Sequence, residues 1–205
     1  RRSSDLASFS DDVAGDLRRV LLEIQQKKMR GLVLDLRNNP WGVRDEAVMV
    51  ASQFLTNGNV LLVKDADGKI TPKPVQPGGL APNIPLAVLV NGGSASAAEI
   101  VAGALSDAHR APLVGETTFG TGTVLNEFPL PDGSALLLAV QEWLTPTGHS
   151  FWHKGITPEL VVPLPANVTP LVPAGERNLT AQQLQSSGDT QLLRALKSVE
   201  AKIGD

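Results

Sequence analysis

The chain has 205 residues, 42% of them hydrophobic and 19% charged, the composition of a globular protein able to bury a substantial core. A formal net charge of −3 gives no electrostatic case for a nucleic acid or an anionic membrane as partner, and the absence of cysteine removes disulfides and thiolate metal sites. No apolar run approaches the ~18 residues that span a bilayer, and no signal peptide stands at the start, Arg1-Arg2-Ser3-Ser4.

Asp5-Leu6-Ala7-Ser8-Phe9 reads as an edge strand or lead-in. Ser10-Asp11-Asp12 starts a helix, with Ser10 as its cap and Val13, Leu17, Val20, Leu21 and Ile24 at helical spacing until Gly31 stops it. Leu32-Val33-Leu34-Asp35-Leu36 is a buried strand that runs into the tight loop Arg37–Gly42. A second helix passes through Ala47, Val48, Ala51, Phe54 and Leu55 and ends at Asn57-Gly58. Val60–Lys64 and Lys69–Thr71 flank Asp65-Ala66-Asp67-Gly68, a hairpin signal, and Pro72 to Pro85 is proline-rich loop.

The apolar run Leu86–Val90 leads into Asn91-Gly92-Gly93-Ser94-Ala95-Ser96-Ala97-Ala98-Glu99, and a helix follows over 96–108. Pro112–Gly115 is another short strand, followed by a glycine- and threonine-rich loop to Gly122. Val124–Leu130 and Ala135–Trp143 form a second hairpin around Pro131-Asp132-Gly133-Ser134. Leu160-Val161-Val162 is the last strand, 163–178 is irregular, and Asp189 caps a final helix carrying Leu192, Leu193, Leu196, Val199 and Ile203. Strands alternating with helices, with hairpins added, make an α/β fold class with a crossover core. Residues 1–165 form the core domain, and residues 166–205 add an irregular proline-rich segment and a C-terminal helix packed on or near it.

The small residues at 91–98 sit at a strand-to-helix turn. A helix N-terminus offers unpaired N–H groups and partial positive charge, so a serine there has oxyanion donors beside its hydroxyl. Glycines upstream, Gly92 and Gly93, let a substrate backbone approach. The same residues also read S-x-x-E, a capping box in which Ser96 only caps the helix. Gly115–Gly120 has the glycine spacing of a phosphate loop but lacks its lysine and precedes a strand, against nucleotide binding. His109, His149 and His153 show no metal-ligand spacing and read as turn or surface residues, so no metal or other cofactor is implied. Asp35 is placed to pair with Arg37 or with loop amides and so fix the 37–42 loop, while Trp41 and Trp143 fit either core or substrate groove.

Five ordered segments carry a family resemblance. Leu34-Asp35-Leu36-Arg37-Asn38-Asn39-Pro40-Trp41-Gly42 is similar to L-D-L-R-x-N-P-G-G, and Gly93–Ile100 is similar to G-S-A-S-A-S-E-I. Gly115–Gly122 is similar to G-E-x-T-F-G-K-G, and Thr145-Pro146-Thr147-Gly148 and Gly155-Ile156-Thr157-Pro158-Glu159 resemble T-P-x-G and G-I-x-P-D. Together they resemble the carboxyl-terminal processing proteases, the tail-specific serine peptidases of the S41 class.

The resemblance implies a crotonase-like and ClpP-like core of stacked β-β-α units with a mixed sheet. It implies Ser96 as nucleophile, the amides of Gly42 and Ala97 as oxyanion hole, and Gly92, Gly93, Trp41 and Gly120 around the substrate. It implies protein or peptide substrates cut near their C-terminal tails, an extracytoplasmic location in the periplasm or cell envelope, and a PDZ domain. Nothing in these residues reads as such a domain, so if the protein has one it lies upstream of Arg1.

Three positions depart from the pattern. The family's general-base lysine is Thr121, its helper glutamine is Leu125, and the first glycine of P-G-G is Trp41. A serine without an adjacent base is a weak nucleophile, and threonine is no base. Two readings follow. One is a serine endopeptidase with a substitute base from His149, His153, Lys154 or Glu116, or from an early histidine outside these residues, as in relatives with a Ser-His-Glu arrangement. The other is a pseudoprotease that binds peptide tails without cleaving them. A crotonase-like enzyme acting on acyl thioesters shares the fold analogy but has no matching motif.

Overall fold

The computed structural model describes residues 3–5, 9–172, 175 and 179–204. Leu6, Ala7 and Ser8 of the sequence's lead-in lie outside the described residues. Parallel and antiparallel strands fall into two separate sheets. Five parallel strands run in the order β1 (Ser3–Asp5), β2 (Leu32–Asp35), β5 (Leu86–Val90), β6 (Leu113–Gly115) and β9 (Leu160–Val161). Four antiparallel strands run in the order β4 (Ile70–Pro74), β3 (Asn59–Asp65), β8 (Ala135–Leu144) and β7 (Thr123–Pro129).

The parallel sheet is covered on both faces, and its strands show why. Leu32 and Leu34 of β2, with Leu86, Val88 and Val90 of β5, point into the main core beside α1 (Val13–Gln26), α2 (Arg44–Ala51) and α3 (Ala97–Asp107). Val33, Ala87 and Leu89 point the other way, onto Leu192, Ala195 and Val199 of the C-terminal helix α5 (Thr190–Gly204). Alternation by period two on apolar runs therefore supplies two cores at once. The antiparallel sheet packs through β3 on α2 and α3 from beyond the helices.

Helix α3 is the central element. Nine of its eleven residues, Ala97 to Leu105, are buried. Its small side chains permit this: a Cβ at Gly103 would meet Ile156 Cδ1 at 3.0 Å and Thr145 Cγ2 at 3.2 Å. Because β5 delivers the chain to the first turn of this buried helix, Ser96 arrives at a fixed place.

Several sequence expectations need correction. Ser10 does not cap α1. Asp12 holds the cap position at φ 68° with no side-chain cap bond, and the Ala14 N–H is taken instead by Glu46 of α2 at 2.9 Å. A tertiary carboxylate has replaced the local cap. Strand β4 continues through Pro72 to Pro74, inside the stretch read as loop, because an edge strand tolerates a missing donor. Helix α2 ends at Ala51, and Phe54 and Leu55 are buried in the turns that follow. A short helix, α4 (Ala181–Gln185), has its own Thr180/Gln183 capping box and precedes α5. Asp189 does cap α5, accepting the Leu192 N–H at 2.9 Å.

Candidate active site

Two loops of the parallel sheet meet at its C-terminal edge: 36–42 after β2 and 91–96 after β5. They are stitched together through main chain and short polar side chains. Asn91 Oδ1 accepts the Asn38 N–H at 2.9 Å and the Gly93 N–H at 3.0 Å, and the Ala95 N–H donates to the Asn39 carbonyl at 2.9 Å. Ser94 is buried, and its hydroxyl donates to the Leu36 carbonyl at 2.8 Å while accepting the Asn91 N–H at 3.0 Å. Of the two serines in the turn, Ser94 is thus a fully used structural residue.

Ser96 is different. Its backbone sits at φ 56°, ψ −115°, a conformation that side-chain-bearing residues rarely adopt, at a sharp strand-to-helix turn. Strained turns of this type expose nucleophilic serines. The residue is half-buried, and its hydroxyl makes no cap hydrogen bond. The hydroxyl lies over the Glu99 amide in capping-box arrangement, but that N–H donates to the Ser96 carbonyl at 3.0 Å. The carboxylate half of the box is made: the Ser96 N–H donates to Glu99 Oε2 at 3.0 Å.

Ala97 opens α3, so its N–H belongs to the first turn, where intrahelical partners are lacking. Gly42 faces the same space. Phe9 forms a parallel bridge with it, the Val43 N–H donating to the Phe9 carbonyl at 2.8 Å. A Cβ at Gly42 would lie 2.2 Å from Phe9 Cβ and 2.7 Å from Phe9 Cα, and φ is +156°, so only glycine fits. Phe9, Ser10, Asp11, Trp41, Gly42, Val43 and Ser96 line an open cleft of about 500 Å³. Trp41 is 63% exposed at its mouth, whereas Trp143 is buried, which divides the two tryptophans between groove and core.

The loop after β6 closes the site from the other side. Glu99 is fully buried, and its carboxylate accepts the Thr118 hydroxyl at 2.6 Å, the Gly120 N–H at 2.7 Å and the Thr121 N–H at 2.9 Å. Ser96 and Thr121 therefore bond the same carboxylate oxygen, which keeps their backbone nitrogens within about 6 Å of each other. The glycines proposed for substrate contact separate here. Gly92 is exposed, with nothing nearer to a Cβ than Thr117 O at 3.9 Å. Gly93 abuts Asn38, and Gly120 abuts the 151–155 turn, so their close approaches are to the protein itself.

The alternative bases are spread out. His149 contacts Thr147 at 2.9 Å, and Thr147 bonds Asp107 at the far end of α3, about 16 Å along the helix from Ser96. His153 is exposed, with its ring 4.6 Å from that of Trp152 and its N–H on the Gly120 carbonyl at 2.9 Å. Lys154 is exposed, and Glu116 accepts Gln191 Nε2 at 3.3 Å. Leu125, the helper position, is 51% exposed on β7. Among the described residues no side chain hydrogen-bonds the Ser96 hydroxyl.

Behind the first loop lies an ion-pair network. Arg37 Nη2 bonds Asp35 Oδ2 at 2.7 Å, and Arg37 Nη1 bonds both Asp189 oxygens at 3.0 Å. Burial opposes the guanidinium charge, but Asp35 and Asp189 outweigh it and hold its pKa above the ordinary value. The predicted Asp35–Arg37 pair is present. Asp189, 152 residues away in sequence from Arg37, is a third member that sequence reasoning missed.

Residues 5–162 match the family model described as Peptidase family S41. The chain belongs to peptidase family S41. It is 41% identical over 167 residues to the carboxy-terminal-processing protease of Bartonella bacilliformis, covering 78% of this chain and 38% of that protein. It is 39% identical over 161 residues to a probable CtpA-like serine protease of Staphylococcus aureus, covering 77% of this chain and 32% of that one. The chain thus spans about two fifths or less of the curated relatives it matches. Among S41-type folds of known structure, the photosystem II D1 C-terminal processing protease superposes with a TM-score of 0.74 at 33% identity, over 80% of this chain and 43% of that one. Mature CPAF superposes with a TM-score of 0.75 over 98% of this chain and 51% of that one, and at 14% identity it shows the shared fold alone.

Proposed function

We propose that this chain is the core of a serine endopeptidase that hydrolyses peptide bonds through Ser96. The observation that carries the reading is the contrast between the two serines of one turn. Ser94 is buried with both hydrogen-bonding roles filled, whereas Ser96 is held at φ 56° at the cleft, its hydroxyl in capping-box position over the Glu99 amide and without a side-chain partner among the described residues. In this reading the Ser96 hydroxyl attacks the scissile carbonyl, and its oxygen turns into the Gly42 and Ala97 amides as charge develops. Trp41 and the exposed Gly92 border the substrate. Thr121 stands where a base is wanted and supplies none, so the proton leaves to a substitute base, to water or to a group outside the described residues. Substrates are proteins cut near their C-terminal tails, in keeping with the name of the Bartonella relative, and the cell envelope as place of action rests on the family resemblance alone. No helix in the described residues is long and apolar enough to cross a membrane.

A second reading is favoured by one observation: no side chain hydrogen-bonds the Ser96 hydroxyl among the described residues. A cleft with nucleophile and oxyanion donors but no base holds a peptide and does not cut it. Labelling with a fluorophosphonate separates the two. A Ser96 adduct that disappears in Ser96→Ala supports the peptidase, and peptide binding without any adduct supports the binder.

A further inference from the structure

We propose that Glu99 is a positioning residue that holds the nucleophile turn and the 118–121 loop in one register. The inference rests on Ser96 being the nucleophile.

The capping box explains one bond of this carboxylate and leaves three unexplained. Oε2 takes the N–H groups of Ser96 and Thr121 at 3.0 and 2.9 Å, and Oε1 takes the Gly120 N–H and the Thr118 hydroxyl at 2.7 and 2.6 Å. The side chain has 0% exposure, and all its hydrogen-bond partners are uncharged backbone or hydroxyl groups. A helix cap alone needs no such burial, because a cap glutamate works at the surface. Carrying a carboxylate into the interior is costly, and here four donors offset it. What the four bonds join is two loops from different strands, after β5 and after β6, which also meet through the Phe119 N–H on the Ser94 carbonyl at 2.9 Å.

The geometry has a mechanical consequence. Ser96 occupies a strained φ, and a strained residue keeps its conformation only where its surroundings over-determine it. The Ser96 N–H bond to Glu99 is one restraint on that conformation, beside the Glu99 and Ile100 N–H groups that donate to the Ser96 carbonyl. Glu99 Oε2 also fixes the Thr121 backbone, so residue 121 is held close to the backbone of Ser96. The Thr118 hydroxyl also accepts the Ile156 N–H at 2.7 Å, which ties the 151–156 turn into the same restraint.

Glu99→Gln tests this with almost no change in volume. An amide offers one acceptor oxygen and one NH2 group. If its oxygen faces Ser96 and Thr121, its NH2 opposes the Gly120 N–H. If it faces Gly120, the NH2 opposes both other amides. The first orientation breaks the Gly120 bond and the second breaks both the Ser96 and Thr121 bonds, so either way the four-bond clamp is incomplete. The readout is fluorophosphonate labelling of Ser96 in the full 205-residue chain, separated into KI and kinact, together with thermal melting. The expected result is a kinact lower by on the order of 100-fold with KI unchanged, the scale of a ~1 Å misplacement at a reacting group. A role confined to stability would lower the melting temperature and leave kinact of the folded fraction intact, which overturns the proposal.

Thr118→Val removes one donor and covers the case in which Glu99→Gln does not fold. It is expected to lower kinact by a smaller factor, with Thr118→Ser restoring it. Equal kinact in all three Thr118 forms overturns the proposal. Wild-type protein that takes no Ser96 label overturns the peptidase reading itself. Labelled wild type with an unimpaired Glu99→Gln overturns this inference alone.

Discussion

Replacing Arg37 with methionine removes the one cation of a buried network and leaves the neighbouring packing volume roughly filled. The guanidinium lies between Asp35 and Asp189, whose side chains are 6% and 0% exposed, and its own side chain is 1% exposed. It also donates to Gln191 Oε1 at 3.2 Å and to the Leu171 carbonyl at 3.1 Å. Without it, both carboxylates face each other across a dry gap. Asp35 keeps the Arg37 N–H, and Asp189 keeps the Leu171 and Leu192 N–H groups, so the site does not lose every donor. Breaking a buried pair by removing one partner costs about 3–5 kcal/mol. For a chain of this size each kcal/mol is worth about 2–4 °C, so a fall in Tm of roughly 6–20 °C follows.

The loss should be concentrated where the network binds: α5 through Asp189, and the 37–42 loop that carries Gly42. Thermal melts with hydrogen exchange check both, the second as faster exchange in Leu192 and Val43. A double-mutant cycle with Asp189→Asn should give a coupling of about 0.5–3 kcal/mol, because the second change removes a charge that the first has stranded. A Tm for Arg37→Met within about 2 °C of wild type, less than one kcal/mol on that scale, refutes the reasoning.

Other outcomes follow from the same geometry. Gly42→Ala places a Cβ 2.2 Å from Phe9 Cβ, so the loop shifts and the amide loses its aim; Ser96 labelling should fall by about 10²–10³ and stability by about 1–3 kcal/mol, read by probe kinetics and melting. Thr121→Lys puts an amine within reach of Ser96, and hydrolysis of a peptide substrate should rise by about 10²–10⁴, checked by mass spectrometry of the products. The Glu142 carboxyl is held below its ordinary pKa by the Ser150 hydroxyl first, and then by Lys64, against desolvation. A depressed carboxylate stabilises above the unfolded-state pKa and loses that contribution as pH falls through the folded value. Wild type should therefore out-melt Glu142→Gln near pH 6–7, with the gap closing below about pH 4.

What the sequence made legible was whatever is local. Continuous apolar runs marked β2 and β5, because strands covered on both faces have no polar side. Ser96 followed by Glu99 marked the start of α3, and Asp35 two residues before Arg37 marked their pair. What stayed hidden depends on distant residues. Nothing near Ser10 reveals that Glu46 will serve the first turn of α1. Nothing near Arg37 points to Asp189. Glu99 read as a cap, since its three other donors come from a loop some twenty residues on, and only packing brings them together. Trp41 and Trp143 looked alike in sequence, and the difference between groove and core appears only when the sheets close.

The central claim is that Ser96 is a nucleophile aimed into a working oxyanion site. Incubating the chain with a fluorophosphonate and mapping the adduct by mass spectrometry tests it most directly. The account predicts a single adduct on Ser96, absent in Ser96→Ala and strongly reduced in Gly42→Ala. A chain that folds, binds peptide and yields no Ser96 adduct, or one that labels equally well with alanine at position 42, would contradict it.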